Sequence, residues 1–192
     1  MLTTTPVIDP YPQWSRRLAA SDASALEELF HALHDALLRY ADGLVRDGAT
    51  ARDLVQDAFI RVWNRRAQLD DDLSLKALLY RTVRNLAFNH LRDERTRTRL
   101  LSEGYEPSGW RDPGPEATAE AHELQQQLTG WIAALPERQR EALMLSRHEG
   151  LSHDEIAGVL GIAPRTVNNH LVRALQTLRD HLDARDAVGG AA

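Results

Sequence analysis

Apolar residues recur along this chain at three- and four-residue steps, in runs separated by polar or Gly- and Pro-containing stretches. That period belongs to amphipathic helices, not strands. Leu26, Leu29, Phe30, Leu33, Leu37, Leu38, Leu44 and Val45 make the first long stripe. Ser21 or Asp22 is placed to cap it and Gly48 to stop it. A short helical segment over 14–20 precedes it. Residues up to about Gln13, with three prolines and no period, read as loosely packed. Thr50-Ala51-Arg52-Asp53 resembles the cap of a second long helix. Its inward face is Leu54, Val55, Ala58, Phe59 and Val62. Its outward face is Asp53, Gln56, Asp57, Ile60, Arg61 and Asn64, and Trp63 stands on the border between core and interface. Asp70-Asp71-Asp72 reads as a solvated loop, without the Gly-turned pattern of a calcium loop. Ser74 can cap a third long helix with Leu75, Leu78, Leu79, Val83, Leu86 and Leu91 inward.

The pattern resumes with Leu124, Leu128, Trp131, Ile132 and Leu135. Pro136 then opens a helix bearing Leu143, Met144 and Leu145, which Gly150 ends. Ser152-His153-Asp154-Glu155 has the S-x-x-E form of a capping box. Ile156, Ala157, Val159 and Leu160 give a short helix its buried side, and Gly161 supplies a left-handed stop. Pro164 suits the first position of another helix, whose stripe is Val167, Leu171, Leu175, Leu178 and Leu182. A short helix, a tight Gly turn and a longer helix make a helix-turn-helix. The tail beyond Asp183, ending VGGAA, reads as frayed. The expected fold is all-α: two small helical domains, 14–99 and 123–183, the second a helix-turn-helix. A flexible acidic linker, 100–122, joins them and carries Trp110 among Pro107, Gly109, Pro113, Gly114 and Pro115.

Charge sharpens this picture. The net charge is −5, which by itself speaks against a nucleic-acid partner, but its distribution matters more. From Leu75 to Arg99 seven basic residues face two acids; from Leu100 to Glu123 six acids face one arginine. A basic helix ahead of an acidic linker suggests a DNA-facing surface. No cysteine is present, which excludes disulfides and thiolate metal sites. No window reaches the apolar length of a membrane span, and MLTTTPVIDPYPQW lacks the basic start and apolar run of a secretory signal. A cytoplasmic protein without membrane insertion is the expectation.

The candidate chemistry is recognition. On the third long helix Arg81, Arg84, Asn85, Phe88 and Arg92 share one face. Cations for phosphates beside a ring and an amide for unstacked bases suit single-stranded DNA. On the last helix Arg165, Thr166, Asn168, Asn169, His170 and Arg173 lie off the apolar stripe, within an acid-free run from Arg165 to Arg179. Arg pairs with guanine and Asn with adenine in the major groove. No phosphate-binding loop, nucleophile elbow or H-E-x-x-H is present. His31 and His34 share a face but lack a carboxylate-rich neighbour, so they read as structural. No catalytic residue, metal site or cofactor is expected.

Read together, 26–99 resembles region 2 of bacterial sigma factors and 124–182 resembles their region 4. The order and the linker are similar to the extracytoplasmic-function class of the sigma-70 family. The most specific piece is Asp53-Leu54-Val55-Gln56-Asp57-Ala58-Phe59 with Trp63. Leu79-Tyr80-Arg81-Thr82-Val83-Arg84-Asn85 comes next, then Gly150-Leu151-Ser152 through Gly161-Ile162 with Thr166-Val167. The resemblance implies that Asp53, Gln56, Asp57, Ile60 and Trp63 bind the β′ clamp helices of core RNA polymerase, with the β flap as a further contact. It implies that Arg81, Arg84, Asn85, Phe88 and Arg92 engage the −10 element and its melted strand. It also implies that Arg165, Thr166, Asn168, Asn169, His170 and Arg173 read the −35 element as duplex. An anti-sigma factor is a further partner of this class. The chain departs from the family's usual pattern at Leu78 (often Trp), Asn89 (often Asp), Asn168 (often Lys or Arg) and Ala163 (often Ser).

Two other readings compete. The stretch 135–171 also resembles the DNA-binding output of LuxR-type activators, which would make the N-terminal half a sensor or dimerisation module. A receiver domain there needs alternating strands and helices, whereas this half reads as all helix. A helical enzyme with a helix-turn-helix appendage needs an acid–base or metal constellation that the sequence lacks.

Overall fold

A computed structural model describes residues 11–69, 74–99 and 119–189. Among these residues every regular element is helical. The chain divides into two compact units, Met1–Leu100 and Leu101–Ala192. The Asp70–Asp72 loop, Trp110, most of the linker and the last three residues of the tail lie outside the described residues.

The first unit holds α1 (Tyr11–Ala19), α2 (Ala23–Val45), α3 (Gly48–Asn64), a 3-10 turn (Arg66–Gln68) and α4 (Leu75–Arg99). Tyr11, Pro12 and Gln13, expected in a loosely packed start, belong to α1; the part of that expectation before Tyr11 lies outside the described residues. Asp22 caps α2 by accepting from the Ser24 amide. The buried line of α2 is Ala25, Leu29, Leu33, Leu37, Tyr40, Ala41 and Val45. Leu26, Leu38 and Leu44 lie half-buried at its edges. Phe30 stays 37% exposed, its ring against Phe59 at 5.0 Å and His34 at 4.6 Å. The apolar stripe was wider than the face that three-helix packing can cover.

Gly48 does not stop α2. Arg46 takes the left-handed conformation at φ 59, donating to the Asp42 carbonyl, and Gly48 is the first residue of α3. Nor do Thr50 to Asp53 cap α3. Asp47 does, accepting from the Thr50 amide at 2.8 Å. Its carboxylate reaches the orphan amides of the first turn, so Thr50 and Asp53 fall inside the helix. Leu54, Val55, Ala58, Phe59 and Val62 of α3 are all buried. Ser74 accepts from the Ala77 amide at the start of α4, at 3.3 Å. On α4, Leu75, Leu79, Val83 and Leu86 are buried as expected, while Leu78 and Leu91 are only half-buried. Tyr80 is fully buried and meets Tyr40 edge-on at 5.2 Å. Ala77 and Ala87, too small to mark a stripe, complete this face.

A polar clasp fastens α1. Leu18 is fully buried, and around it Arg17 donates to Asp22 at 2.8 Å and to both oxygens of Glu28 at 2.8 and 2.9 Å. The Trp14 indole donates to Glu28 at 2.9 Å. The Arg17 hydrogen bond, helped by Ser24, holds the Asp22 carboxyl down at about 2. Arg17 and then Trp14 lower Glu28, and Thr50 lowers Asp47. Depressed carboxyls contribute stability that is complete above their unfolded values near ~4 and is lost as pH falls through the folded ones. The thermal midpoint of this unit is therefore expected to fall between about pH 4.5 and 2. Arg17→Met is expected to flatten that slope, as read by circular dichroism across the range; an unchanged slope counts against the clasp.

The second unit holds α5 (Ala119–Ala134), α6 (Glu137–Arg147), α7 (His153–Leu160) and α8 (Pro164–Gly189). α5 begins inside the stretch expected as linker, because Ala119-Glu120-Ala121 are strong helix formers beyond the last proline. Pro136 precedes α6, and Arg140 donates to the Ala133 and Leu135 carbonyls, at 2.7 and 3.2 Å, to join the two helices. Leu135, Leu143, Leu145, Leu151, Ile156, Val159, Leu160, Val167, Leu171 and Ala174 make the core. Leu128 and Leu182, expected inward, are each 39% exposed. Trp131 is half-buried, stacked on His181 at 5.3 Å. α8 continues to Gly189 in place of the frayed tail: Ala184 to Val188 contain no Gly or Pro to end it.

Candidate nucleic-acid interface

The helix-turn-helix is set by local chemistry. The Ser152 Oγ accepts from the Glu155 amide at 3.2 Å, and Glu155 accepts from the Ser152 amide at 2.8 Å, a complete capping box. Gly161 ends α7 at φ 67 and ψ 37. Its amide and that of Ile162 both donate to the Ala157 carbonyl, at 2.9 and 3.1 Å. A residue with a Cβ is strained in that conformation. At the head of α8 the Ala163 carbonyl accepts from the Thr166 and Val167 amides, with no side-chain oxygen to assist. Ser152→Ala is expected to cost this unit about 1 kcal/mol, read as a lower thermal midpoint; an unchanged midpoint refutes the cap's contribution.

Burial of Val167, Leu171 and Ala174 fixes which side of α8 turns outward. Arg165, Asn168, Asn169 and Arg173 are exposed there, and Thr166 and His170 flank them half-buried. Val172, 57% exposed, lies in the same patch. Its position off the apolar stripe sets it apart from the core pattern. Its signal was an apolar residue off the 167-171-175-178 line with Asn three and four positions before it. Gln176 is turned along the helix to Asp180 at 2.7 Å.

On α4, Arg81, Asn85 and Arg92 are exposed, and Arg84 and Phe88 are half-buried. The five share one face, as their spacing predicts. The Arg84 guanidinium lies over the Phe88 ring at 4.5 Å, so Phe88 is neither bare nor lost to the core. A stacked guanidinium and ring make a platform with both charge and π surface.

On α3, Asp53, Gln56, Asp57 and Ile60 are all exposed, Ile60 at 48%. Trp63 is half-buried, with the Arg66 guanidinium 4.3 Å from its ring centre. Arg66 also donates to the Trp63 carbonyl and to Ser21 Oγ, each at 2.9 Å. Arg66 thus ties the end of α3 to the α1–α2 turn while covering the Trp63 ring. Nearby on α2, His31 is exposed with Glu27 at 3.9 Å, and His34 meets Asp35 at 2.9 Å.

Among the described residues no helix is long and apolar enough to cross a membrane.

A helical unit with a basic helix, followed by a helix-turn-helix unit, defines the class: an all-helical protein with a DNA-binding motif at its C-terminal end. Comparison with known proteins gives the family. The family description "Sigma-70 region 2" matches residues 29–97 and "Sigma-70, region 4" matches 125–178. The RNA polymerase sigma-E factor of Streptomyces coelicolor is 36% identical over 160 residues, 83% of this chain and 87% of that one. The probable RNA polymerase sigma factor RfaY of Xanthomonas campestris is 32% identical over 168 residues, 85% of this chain but 42% of that longer one. The sigma factor RpoE of Bartonella quintana, solved with the anti-sigma factor NepR, shares the fold at a TM-score of 0.67 and 24% identity, over 82% of this chain and 96% of that one. The chain belongs to the sigma-70 family, as an RNA polymerase sigma factor of the extracytoplasmic-function class.

Proposed function

We propose that the chain binds core RNA polymerase through Asp53, Gln56, Asp57, Ile60 and Trp63 on the β′ clamp helices. Its C-terminal domain meets the β flap and reads the −35 element as duplex with Arg165, Thr166, Asn168, Asn169, His170 and Arg173. Arg81, Arg84, Asn85, Phe88 and Arg92 hold the melted −10 strand. The two domains, 14–99 and 123–183, act on one promoter from either end of the linker, with polymerase setting their spacing. The chain works in the cytoplasm, performs no catalysis itself and uses no cofactor.

The observation that carries this reading is the separation of three surfaces by chemistry. Acids, an amide and an exposed Ile on α3 suit a basic protein helix. Cations with a stacked ring on α4 suit unpaired bases. An acid-free face of Arg and Asn on the second helix of a helix-turn-helix suits the major groove. Because a solved sigma factor of this fold holds an anti-sigma factor, such an inhibitor is included among the partners.

Run-off transcription on duplex and pre-melted promoter templates tests the α4 assignment. Asn85→Ala and Arg84→Ala are expected to lower initiation on duplex templates by roughly tenfold or more, the loss of one or two base contacts at about 1–3 kcal/mol each. On a template already open at −10 most of the activity should return. Equal losses on both templates refute a melting role.

A further inference from the structure

We propose that Val172 is a base-reading residue that meets the C5-methyl of a thymine in the −35 duplex. The inference deepens the duplex-reading assignment of α8 and rests on it. Val172 is 57% exposed and points away from the buried line of Val167, Leu171 and Ala174. Its neighbours on that face, Arg165, Asn168 and Asn169, are exposed and polar. Core packing therefore does not account for an apolar side chain here. Helix propensity does not either, because a β-branched residue is among the weaker formers at a solvated position. Gln176, the next residue along the face, donates to Asp180 at 2.7 Å.

In the major groove the other edge groups that distinguish the bases are hydrogen-bond donors and acceptors; the thymine methyl is the apolar one. Val is one bond shorter than the Asn residues beside it, and the thymine C5-methyl projects from the base edge into the groove to meet it. A helix close enough for Asn168 or Asn169 to reach a base edge also brings the Val172 methyls to groove depth. The amides and the valine thus read complementary features, the amides the polar edge and Val172 the methyl.

Holoenzyme assembled from core polymerase and the full chain is first used to select duplexes from a random pool. In the selected element each thymine is then replaced singly by deoxyuridine, which removes the methyl alone. Wild-type holoenzyme should lose about 3- to 10-fold in affinity at one thymine or two adjacent ones. Val172→Ser should bind thymine and deoxyuridine templates equally at that position. Val172→Thr, which keeps a methyl, should retain the sensitivity. Unchanged thermal midpoints separate this from misfolding. A flat deoxyuridine scan of a selected element, or full methyl sensitivity in Val172→Ser, overturns the role of Val172 and leaves duplex reading standing. Failure to enrich any duplex overturns both.

Discussion

Asp57→Arg is expected to abolish promoter-dependent transcription by core polymerase supplied with this chain. Asp57 is exposed on α3 beside Asp53, Gln56 and Ile60, while Leu54, Val55 and Ala58 beneath it are buried. Reversing its charge leaves the packing of α3 untouched, so the variant should fold with an unchanged circular-dichroism spectrum and thermal midpoint. What changes is the proposed polymerase contact. Breaking a desolvated charge contact costs about 2–5 kcal/mol, and placing like charges together adds to that. The expected loss in affinity for core polymerase is roughly 30-fold to several thousand-fold. Equilibrium binding of labelled chain to core polymerase measures it, with run-off yield alongside. Gln56→Ala should weaken binding less, because it removes a neutral partner. Wild-type affinity in Asp57→Arg would move the polymerase contact off α3.

The second large effect is on stability. Tyr80→Ala should cost the N-terminal unit about 3–5 kcal/mol, as expected when a buried aromatic is cut to Ala. Among the described residues Tyr80 is the largest fully buried side chain, and it meets Tyr40 from the facing helix. A domain typically holds about 5–15 kcal/mol in total, so the loss is a large share. Tyr80 also sits next to Arg81 on α4, and its burial sets the rotation at which Arg81, Arg84, Asn85 and Phe88 face outward. Tyr80→Phe keeps the ring and should retain most of the stability. Thermal and urea unfolding of the two variants decide the matter; a small loss in Tyr80→Ala would mean that the site collapses around the gap.

What was legible in the sequence was mostly local. The Ser152–Glu155 box, the Gly161 stop and the Pro164 start each depend on residues within one turn, and each stands as its residue type dictates. The two faces of α3 were also readable, since Leu54, Val55, Ala58, Phe59 and Val62 leave one inward solution. Between α2 and α3 two local signals compete within three residues. Gly48 is a good helix stop and Asp47 a good helix start, and tertiary packing rather than propensity chooses Asp47 and leaves Arg46 left-handed. Nonlocal contacts were hidden. The Arg17–Glu28 clasp joins two helices through residues that each look like solvated charges. Tyr80 could have faced either way, having a ring to bury and a hydroxyl to wet. Leu128 and Leu182 fit an apolar period, yet the unit is too small to cover them. Among the candidate site residues, the exposed sets on α3, α4 and α8 followed from helical spacing. The cover of Arg66 on Trp63 and of Arg84 on Phe88 did not, because a cation–π contact leaves no mark in the pattern of apolar positions.

The central claim is that this chain confers promoter recognition and opening on a polymerase that lacks both. Run-off transcription from a linear promoter template, by core polymerase with and without the full chain, tests it most directly. The account predicts a discrete transcript from the promoter start only when the chain is present, lost in Asp57→Arg. A chain that binds duplex DNA alone while core polymerase stays silent would contradict it.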